Sequence, residues 1–241
     1  MSDLLELVLE AHGGLDAWKR VKTVDVRMSL AGFLFEIKQH PNGLKNALVK
    51  VDAGRPRTLI APFPTIGKRG IYQDGKVWIQ DDVGLIVEEL PYPRTAYEGH
   101  ERYTPWNDLQ FLYFIGYAFW NYFTMPFMLT DDGIAIREVE PWEENGQKWR
   151  VIEAEFDKSI DVHCAVQRFY FNSAGLLVRN DYFTDVAKGH VAHYTTDHKT
   201  FDGIVFPTRR RVVSRADNNV TNTAGPSSVL IDIETVVLNT D

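Results

Sequence analysis

An uncharged stretch rich in aromatic residues, in the middle of this chain of 241 residues, constrains the fold most. Between Asp108 and Asp131 there is no charged residue, and Phe, Tyr and Trp are more crowded there than elsewhere. Pro105 is typical of a first helical position, and Pro126 removes a backbone donor that a continuing helix needs. The stretch therefore predicts a central helix at residues 104–126, about 30 Å long at 1.5 Å per residue.

Most of this predicted helix is apolar on all sides, but one face carries polar side chains at steps of three and four. A buried amide or phenol must find a hydrogen-bond partner. The pattern fits a core helix whose polar groups meet backbone, or a lid helix whose polar groups face a ligand cavity. A membrane span has enough length but fits these polar residues poorly. The polar residues are Gln110, Tyr113, Tyr117, Asn121 and Thr124.

Charge and composition exclude several classes of partner. The formal net charge of −7 argues against binding to nucleic acid or to anionic membranes. No second apolar stretch has the length of a transmembrane helix, so we expect no integral membrane insertion. The single cysteine, Cys164, leaves no internal disulfide. The acidic N-terminus does not resemble a signal peptide, which predicts a cytoplasmic protein.

Most of the remaining chain alternates apolar and polar residues with the period of a half-buried strand. We predict one domain over residues 1–241, with N-terminal helices at 1–21 and two sets of strands at 22–90 and 133–239. Residues 33–40 are included among the strands, and a turn is expected at 217–219. Ten or more short antiparallel strands predict an unclosed barrel or a strongly curved sheet, mainly β with some α, in which the central helix covers a cavity.

Three phrases of the sequence carry a family resemblance. They are Ala11-His12-Gly13-Gly14 with Trp18 following, the hairpin phrase FNSAGLLVRNDY, and Phe201-Asp202-Gly203-Ile204 leading to Phe206-Pro207-Thr208. With the order helix, strands, helix, strands, they resemble the bacterial lipoprotein-carrier and outer-membrane lipoprotein-sorting (LolA/LolB-like) superfamily. The resemblance implies a hydrophobic cavity closed by helices, and known members mostly carry acyl chains or other lipidic cargo.

Residues 181–198 contain three of the seven histidines and suggest an interior polar cluster. A hairpin loop at 187–189 pairs Tyr182 with Tyr194, and points both of them and His198 inward. It places His193 outward or at the rim, and pairs Arg179 with Asp197 on a solvated face. A loop one residue longer reverses these faces.

Candidate site residues follow from these faces. An inward Arg210 needs an anion, either a structural carboxylate such as Asp108 or the acidic head group of a ligand. Polar groups able to donate and move protons are candidates for catalysis: His198, Tyr194, Tyr117 and Asn121. Candidates for ligand binding are Trp106, Gln110, Tyr113, Phe114, Trp120, Thr124, Tyr182 and Arg210.

Two functions are the main candidates from the sequence, and a third, an interaction or scaffold protein, predicts an exposed apolar patch with the central helix on the surface. The first is the binding of a hydrophobic small molecule of acyl, terpenoid or polyketide-like character beneath the central helix. The second is a cofactor-independent hydrolase, isomerase or cyclase that uses the same polar groups. The contacts of Asn121 distinguish two possible roles for this residue. Its amide either binds the polar end of a ligand or forms hydrogen bonds only with backbone groups. No motif predicts a metal or an organic cofactor.

Overall fold

One antiparallel sheet of thirteen strands dominates the computed structural model, which describes residues 2–216 and 218–240. In the first strand Val24, Val26, Met28 and Leu30 are buried, as their alternation predicts. The strands are β1 (Thr23–Ala31), β2 (Leu44–Asp52), β3 (Arg57–Ala61), β4 (Lys68–Gln73), β5 (Lys76–Asp81), β6 (Ile86–Leu90), β7 (Ile134–Glu144), β8 (Gln147–Phe156), β9 (Val166–Phe171), β10 (Leu177–Thr184), β11 (Gly189–Phe201), β12 (Ile204–Ser214) and β13 (Val229–Asn239).

The sheet is not closed into a barrel. Its strand order is β6-β5-β4-β3-β2-β1-β13-β12-β11-β10-β9-β8-β7, so β6 and β7 are its two edges. We call β1–β6 the first half and β7–β13 the second half; they join where β1 pairs with β13. The predicted mainly-β fold, an unclosed antiparallel sheet with an N-terminal and a central helix, is confirmed.

Within the described part of the chain, four α-helices accompany the sheet: α1 (Asp3–Ala11), α2 (Leu15–Trp18), α3 (Phe33–Ile37) and α4 (Asp108–Thr124). Short 3-10 helices occupy Pro93–Tyr97 and Phe127–Thr130. Helix α4 is the helix predicted at residues 104–126, but it begins later, at Asp108, because Asn107 caps it. In the described ranges, no helix is both long enough and apolar enough to cross a bilayer.

Residues 33–40 were predicted as a strand, and this is wrong. Residues 33–37 form α3, which buries Leu34 and Phe35. A run of five apolar-rich residues does not have a clear period, so it fits a helical turn as well as a strand. The predicted turn at 217–219 includes Asp217, which lies outside the described residues.

The three phrases behind the family resemblance meet at α1. A Cβ added to Gly13 would lie 2.2 Å from the carbonyl oxygen of Gly203, and one added to Gly175 would lie 2.8 Å from that of Leu7. The backbone N–H of Val205 donates to the His12 carbonyl oxygen. Helix α1 is thus docked by close backbone contacts onto the turns β9–β10 and β11–β12.

The predicted register between β10 and β11 is wrong by three residues. Asn180 pairs with His193 rather than with Thr196, because the connecting loop is four residues long, at 185–188. An odd shift exchanges the faces of β11. His193 is therefore buried under α4, and Tyr194 lies on the opposite face of the sheet.

Arg179, predicted on a solvated face opposite Asp197, is instead fully buried beside Tyr194. Its guanidinium donates to both carboxylate oxygens of Asp181, at 2.7 and 2.8 Å, and also binds Glu144. Because both carboxylates are bonded to it, the charge of Arg179 is compensated within the protein.

Candidate functional site

Helix α4 lies closest to β2–β5 of the first half of the sheet. Asn107 accepts from the N–H of Gln110 while the Gln110 side chain accepts from the N–H of Asn107, which fixes the start of the helix. Gly116 allows close approach to the sheet, because an added Cβ would lie 2.4 Å from the Cβ of Tyr72. Helix α4 therefore packs directly against the first half of the sheet.

The polar face of α4 is satisfied by protein groups. Gln110 donates to the Ala96 carbonyl oxygen, and Thr124 donates to the Trp120 carbonyl oxygen within the helix. Asn121 donates to two carbonyl oxygens, those of Tyr117 (2.6 Å) and Asp161 (2.9 Å). The Asn121 amide nitrogen thus has the structural role that was the alternative to ligand binding.

Asp161, in the loop between β8 and β9, joins the two halves of the structure. Its carboxylate accepts from the hydroxyls of Tyr72 on β4 (2.9 Å) and Tyr113 on α4 (2.6 Å). Arg94 lies 3.8 Å from the same carboxylate and binds Asp185 at 2.9 Å. This cluster holds α4 against the loops at one end of the second half.

A chain of five tyrosine and histidine side chains, here called the Tyr–His chain, fills the space between α4 and the second half. Its successive contacts are Tyr117 Oη to His163 Nδ1 (3.0 Å), His163 Nε2 to Tyr122 Oη (2.8 Å), Tyr122 Oη to Tyr182 Oη (3.1 Å) and Tyr182 Oη to His193 Nδ1 (3.5 Å).

Burial keeps both imidazoles of this chain neutral. Loss of hydration lowers the pKa of His163 to about 3, and the positive charge of Arg94 adds to the effect. Burial, with the charge of Arg210 nearby, lowers the pKa of His193 well below its usual value. A neutral imidazole has one donor and one acceptor nitrogen. A histidine that accepts a hydrogen bond from one neighbour in the Tyr–His chain can therefore donate one to the next neighbour, so that all the bonds run in the same direction.

Arg210 on β12 is buried without a carboxylate partner among the described residues. Its Nη2 donates to the Tyr122 carbonyl oxygen at 2.9 Å, and its Nε has no partner. The guanidinium carbon lies 5.0 Å from the centre of the Tyr122 ring. Desolvation lowers the pKa of Arg210 to about 10. Asp108, one of the predicted counter-ions, lies instead beside His40, at 3.9 Å.

Two small voids lie between α4 and the second half of the sheet, and Tyr122 lines both. The larger, about 30 Å³, is mostly apolar and is lined by Phe114, Tyr182 and Val212, among others. The smaller, about 20 Å³, is lined by Asn121, His163, Gln167, Asn180, His193 and Arg210, among others, and by no acidic residue. Each has room for about one water molecule, so the aromatic side chains of α4 leave little of the predicted cavity open.

The outer face of the sheet carries a larger, open groove of about 450 Å³. It is lined by Tyr194, Arg209 and Arg211, among others. Arg211 donates to Ser227 and Thr223, and Arg209 lies 3.9 Å from Asp232. These charges are exposed and already partnered, which is typical of a solvated surface.

The structure brings together only some of the predicted site residues. Phe114, Tyr182, Asn121 and Arg210 line the two voids, and Tyr117 joins them through His163. The other ligand-binding candidates have partners elsewhere: Trp106 packs under Lys38, Trp120 donates to the Asp52 carbonyl oxygen, and Gln110, Tyr113 and Thr124 bond as described above.

The four catalytic candidates do not converge. Tyr194 lies on the outer face, where it donates to Glu144. The ring of His198 is held by the Leu177 carbonyl oxygen at 2.9 Å and lies against His12. Only Tyr117 and Asn121 share a face of α4, so the enzyme hypothesis lacks the cluster on which it was based.

Sequence reasoning missed His163, Tyr122 and the inward position of His193. His163 lies in a loop, where no periodicity indicates which way a side chain points. Tyr122 lies among apolar residues in the sequence, off the polar face of α4. Over the described ranges, no three or more His, Cys, Asp or Glu side chains are grouped as metal ligands.

Solved structures with this arrangement exist at low sequence identity. A LolA superfamily protein from Nitrosomonas europaea matches with a TM-score of 0.55 and 13% identity, over 98% of this chain and 92% of that one. The chain has a LolA-like fold. A DUF1329 family protein from Desulfovibrio piger gives a TM-score of 0.54 at 13% identity, covering 98% and 92% of the two chains.

A third structure with the LolA-like fold is a putative outer membrane lipoprotein-sorting protein domain from Vibrio parahaemolyticus. Its TM-score is 0.53 at 12% identity, over 98% of this chain and 94% of that one. No protein-family model and no curated protein matches the sequence. At these identities the likeness establishes the fold alone.

Proposed function

We propose that this protein binds a hydrophobic small molecule between α4 and the second half of the sheet. One observation carries the proposal. Helix α4 is seated on the first half, whereas a layer of long side chains and two voids separate it from the second half. Ligand sites are typically apolar spaces with a few convergent polar groups, and this layer has that composition.

The ligand has to displace side chains or the helix itself. The two voids of about 30 and 20 Å³ are far smaller than the roughly 300 Å³ or more of a typical ligand pocket. Tyr122 lines both voids, so a swing of its ring would join them. The ligand would then select a more open state that is sparsely populated without it.

The comparisons support this class of ligand at a coarse level. One of the similar structures is described as a putative outer membrane lipoprotein-sorting protein domain, and lipoproteins carry acyl chains. An acyl, terpenoid or polyketide-like molecule has a tail that suits the apolar lining of the larger void, which includes Phe33, Leu34 and Val229.

Binding of the neutral dye Nile red tests this proposal. We expect saturable binding with a blue shift in its emission, competed by dodecan-1-ol. Ala187 lines the larger void, so Ala187→Leu should weaken binding about tenfold, which corresponds to about 1.4 kcal/mol. Ala174 is exposed in the turn β9–β10, and Ala174→Leu serves as the matched control with unchanged affinity. Absence of saturable binding, or equal affinity in both variants, would contradict the proposed site.

A further inference from the structure

We infer that the ligand is an amphiphile with a carboxylate head group, and that Arg210 and His193 bind this carboxylate in the smaller void. The inference rests on the proposed function, since it places the polar end of that same ligand. The inference specifies the chemical class of the ligand's head group. The apolar lining described above bears only on the ligand's tail.

Arg210 gives the first reason. A guanidinium buried without a counter-charge is strongly unfavourable, and buried arginines are normally paired. Arg179 shows the paired state in this same chain, because Asp181 and Glu144 both bind it. Arg210 is also almost completely buried, yet it has one hydrogen bond to a carbonyl oxygen and a free Nε. A carboxylate beside it would supply the missing charge and bidentate acceptors.

His193 gives the second reason. Its Nε2 is buried and has no hydrogen-bond partner among the residues that the structure describes, and the ring lines the same void as Arg210. The two side chains lie on neighbouring strands, since His193 pairs with Val212 and Arg210 with Thr195. Both rest against Tyr122, whose ring centre is 4.7 Å from that of His193 and 5.0 Å from the Arg210 guanidinium carbon. An anion in the void can therefore reach both groups.

The Tyr–His chain can orient His193 for this role. If Nε2 of His193 carries the proton, Nδ1 accepts from Tyr182, which accepts from Tyr122. Tyr122 in turn accepts from Nε2 of His163, and His163 Nδ1 accepts from Tyr117. Every donor in this arrangement points along the Tyr–His chain towards His193. Displacement of the Tyr122 ring leaves the bond from Tyr182 to His193 Nδ1 intact, so Nε2 of His193 can still donate to an anion in the void.

The rest of the lining adds no negative charge beside Arg210. Among the described residues no Asp or Glu lines the void, and the amide N–H groups of Asn121 and Asn180 already donate to protein oxygens. The mainly apolar larger void also borders Tyr122 and gives the tail a direction. The head group is thereby placed at Arg210 and the tail beneath α3 and α4.

Isothermal titration with dodecanoic acid and dodecan-1-ol tests the inference, because the two ligands share a tail and differ in charge. Wild type should bind the acid at least tenfold more tightly than the alcohol. Arg210→Met should abolish this preference while the alcohol still binds. Arg209→Met removes a charge from the exposed neighbour on the same strand and should keep the preference.

The outcomes separate the two proposals. If neither ligand binds, the proposed function fails. If both bind equally to wild type, or if Arg210→Met keeps the preference, the carboxylate inference is overturned while hydrophobic binding stands. If Arg210→Met does not fold, His193→Phe replaces it in the titration. This variant should reduce the preference for the acid by about threefold or more. An unchanged preference would refute the role of His193.

Discussion

Arg210 on β12 donates a 2.9 Å hydrogen bond to the carbonyl oxygen of Tyr122 on α4. This bond connects the second half of the sheet to a helix that is seated on the first half. Tyr122 already has its hydroxyl in the Tyr–His chain, between His163 and Tyr182. The backbone and the side chain of Tyr122 therefore both lie at the boundary between α4 and the second half of the sheet. A ligand bound at this boundary would have to separate the two.

Acid should destabilise the fold through its buried histidines. Burial lowers the pKa of His12 to about 4 and of His163 to about 3, and it also lowers that of His193. Between an unfolded pKa of about 6.5 and these values, the unfolded chain binds more protons than the folded one. The free energy of unfolding should thus fall as pH drops below about 6.5, by up to about 1.4 kcal/mol per pH unit for each histidine.

Urea denaturation between pH 7 and pH 5 measures this dependence above the range in which most carboxylates titrate. His193→Phe removes one buried imidazole and should make the slope shallower by up to about 1.4 kcal/mol per pH unit. A free energy of unfolding that stays constant over this interval would show that the buried imidazoles are not held neutral by the fold.

Asn121→Leu should destabilise the protein by about 1–3 kcal/mol. The substitution leaves the Asp161 carbonyl oxygen without its donor, and a buried unsatisfied acceptor carries that penalty. Thermal and urea melts give the change, and Asn42→Leu at an exposed turn is the control for added apolar surface. A variant with unchanged or raised stability but weaker ligand binding would restore the ligand-binding role that the sequence suggested.

Gly13→Ala should destabilise the docking of α1 far more than Gly14→Ala. Both glycines have positive φ, at +111° and +86°, so each substitution introduces backbone strain of about 1–2 kcal/mol. Only at Gly13 would the new Cβ meet backbone, 2.2 Å from the Gly203 oxygen, whereas at Gly14 the nearest atom is 3.8 Å away. Urea midpoints compare the two variants, and equal losses of stability would contradict the close contact.

Part of the sheet could be predicted from the sequence because strands such as β1 and β3 alternate buried and less buried residues. The alternation predicts strands within residues 22–90 and 133–239, and β1–β6 lie in the first of these ranges and β7–β13 in the second. The period also predicted that Arg210 points inward, and it is buried. The alternation of apolar and polar residues can be recognised within one strand, without knowing which strands pair with it.

Register and loop contacts could not be predicted, because they depend on residues distant in the chain. A loop of four residues instead of three moved His193 inward and Tyr194 outward. Asp161 and His163 lie in a loop, yet they provide the partners of Tyr113, Tyr117 and Asn121. The polar face of α4 was therefore recognised from the sequence, but the groups that satisfy it were not.

A crystal structure of the protein with dodecanoic acid tests the central claim most directly, since it locates the ligand. The account predicts electron density for the acyl chain between α4 and strands β10–β12, with the Tyr122 ring displaced. The carboxylate should lie about 3 Å from the Arg210 guanidinium. Density for the ligand in the outer groove beside Tyr194 and Arg209, with α4 and Tyr122 unmoved, would contradict the account.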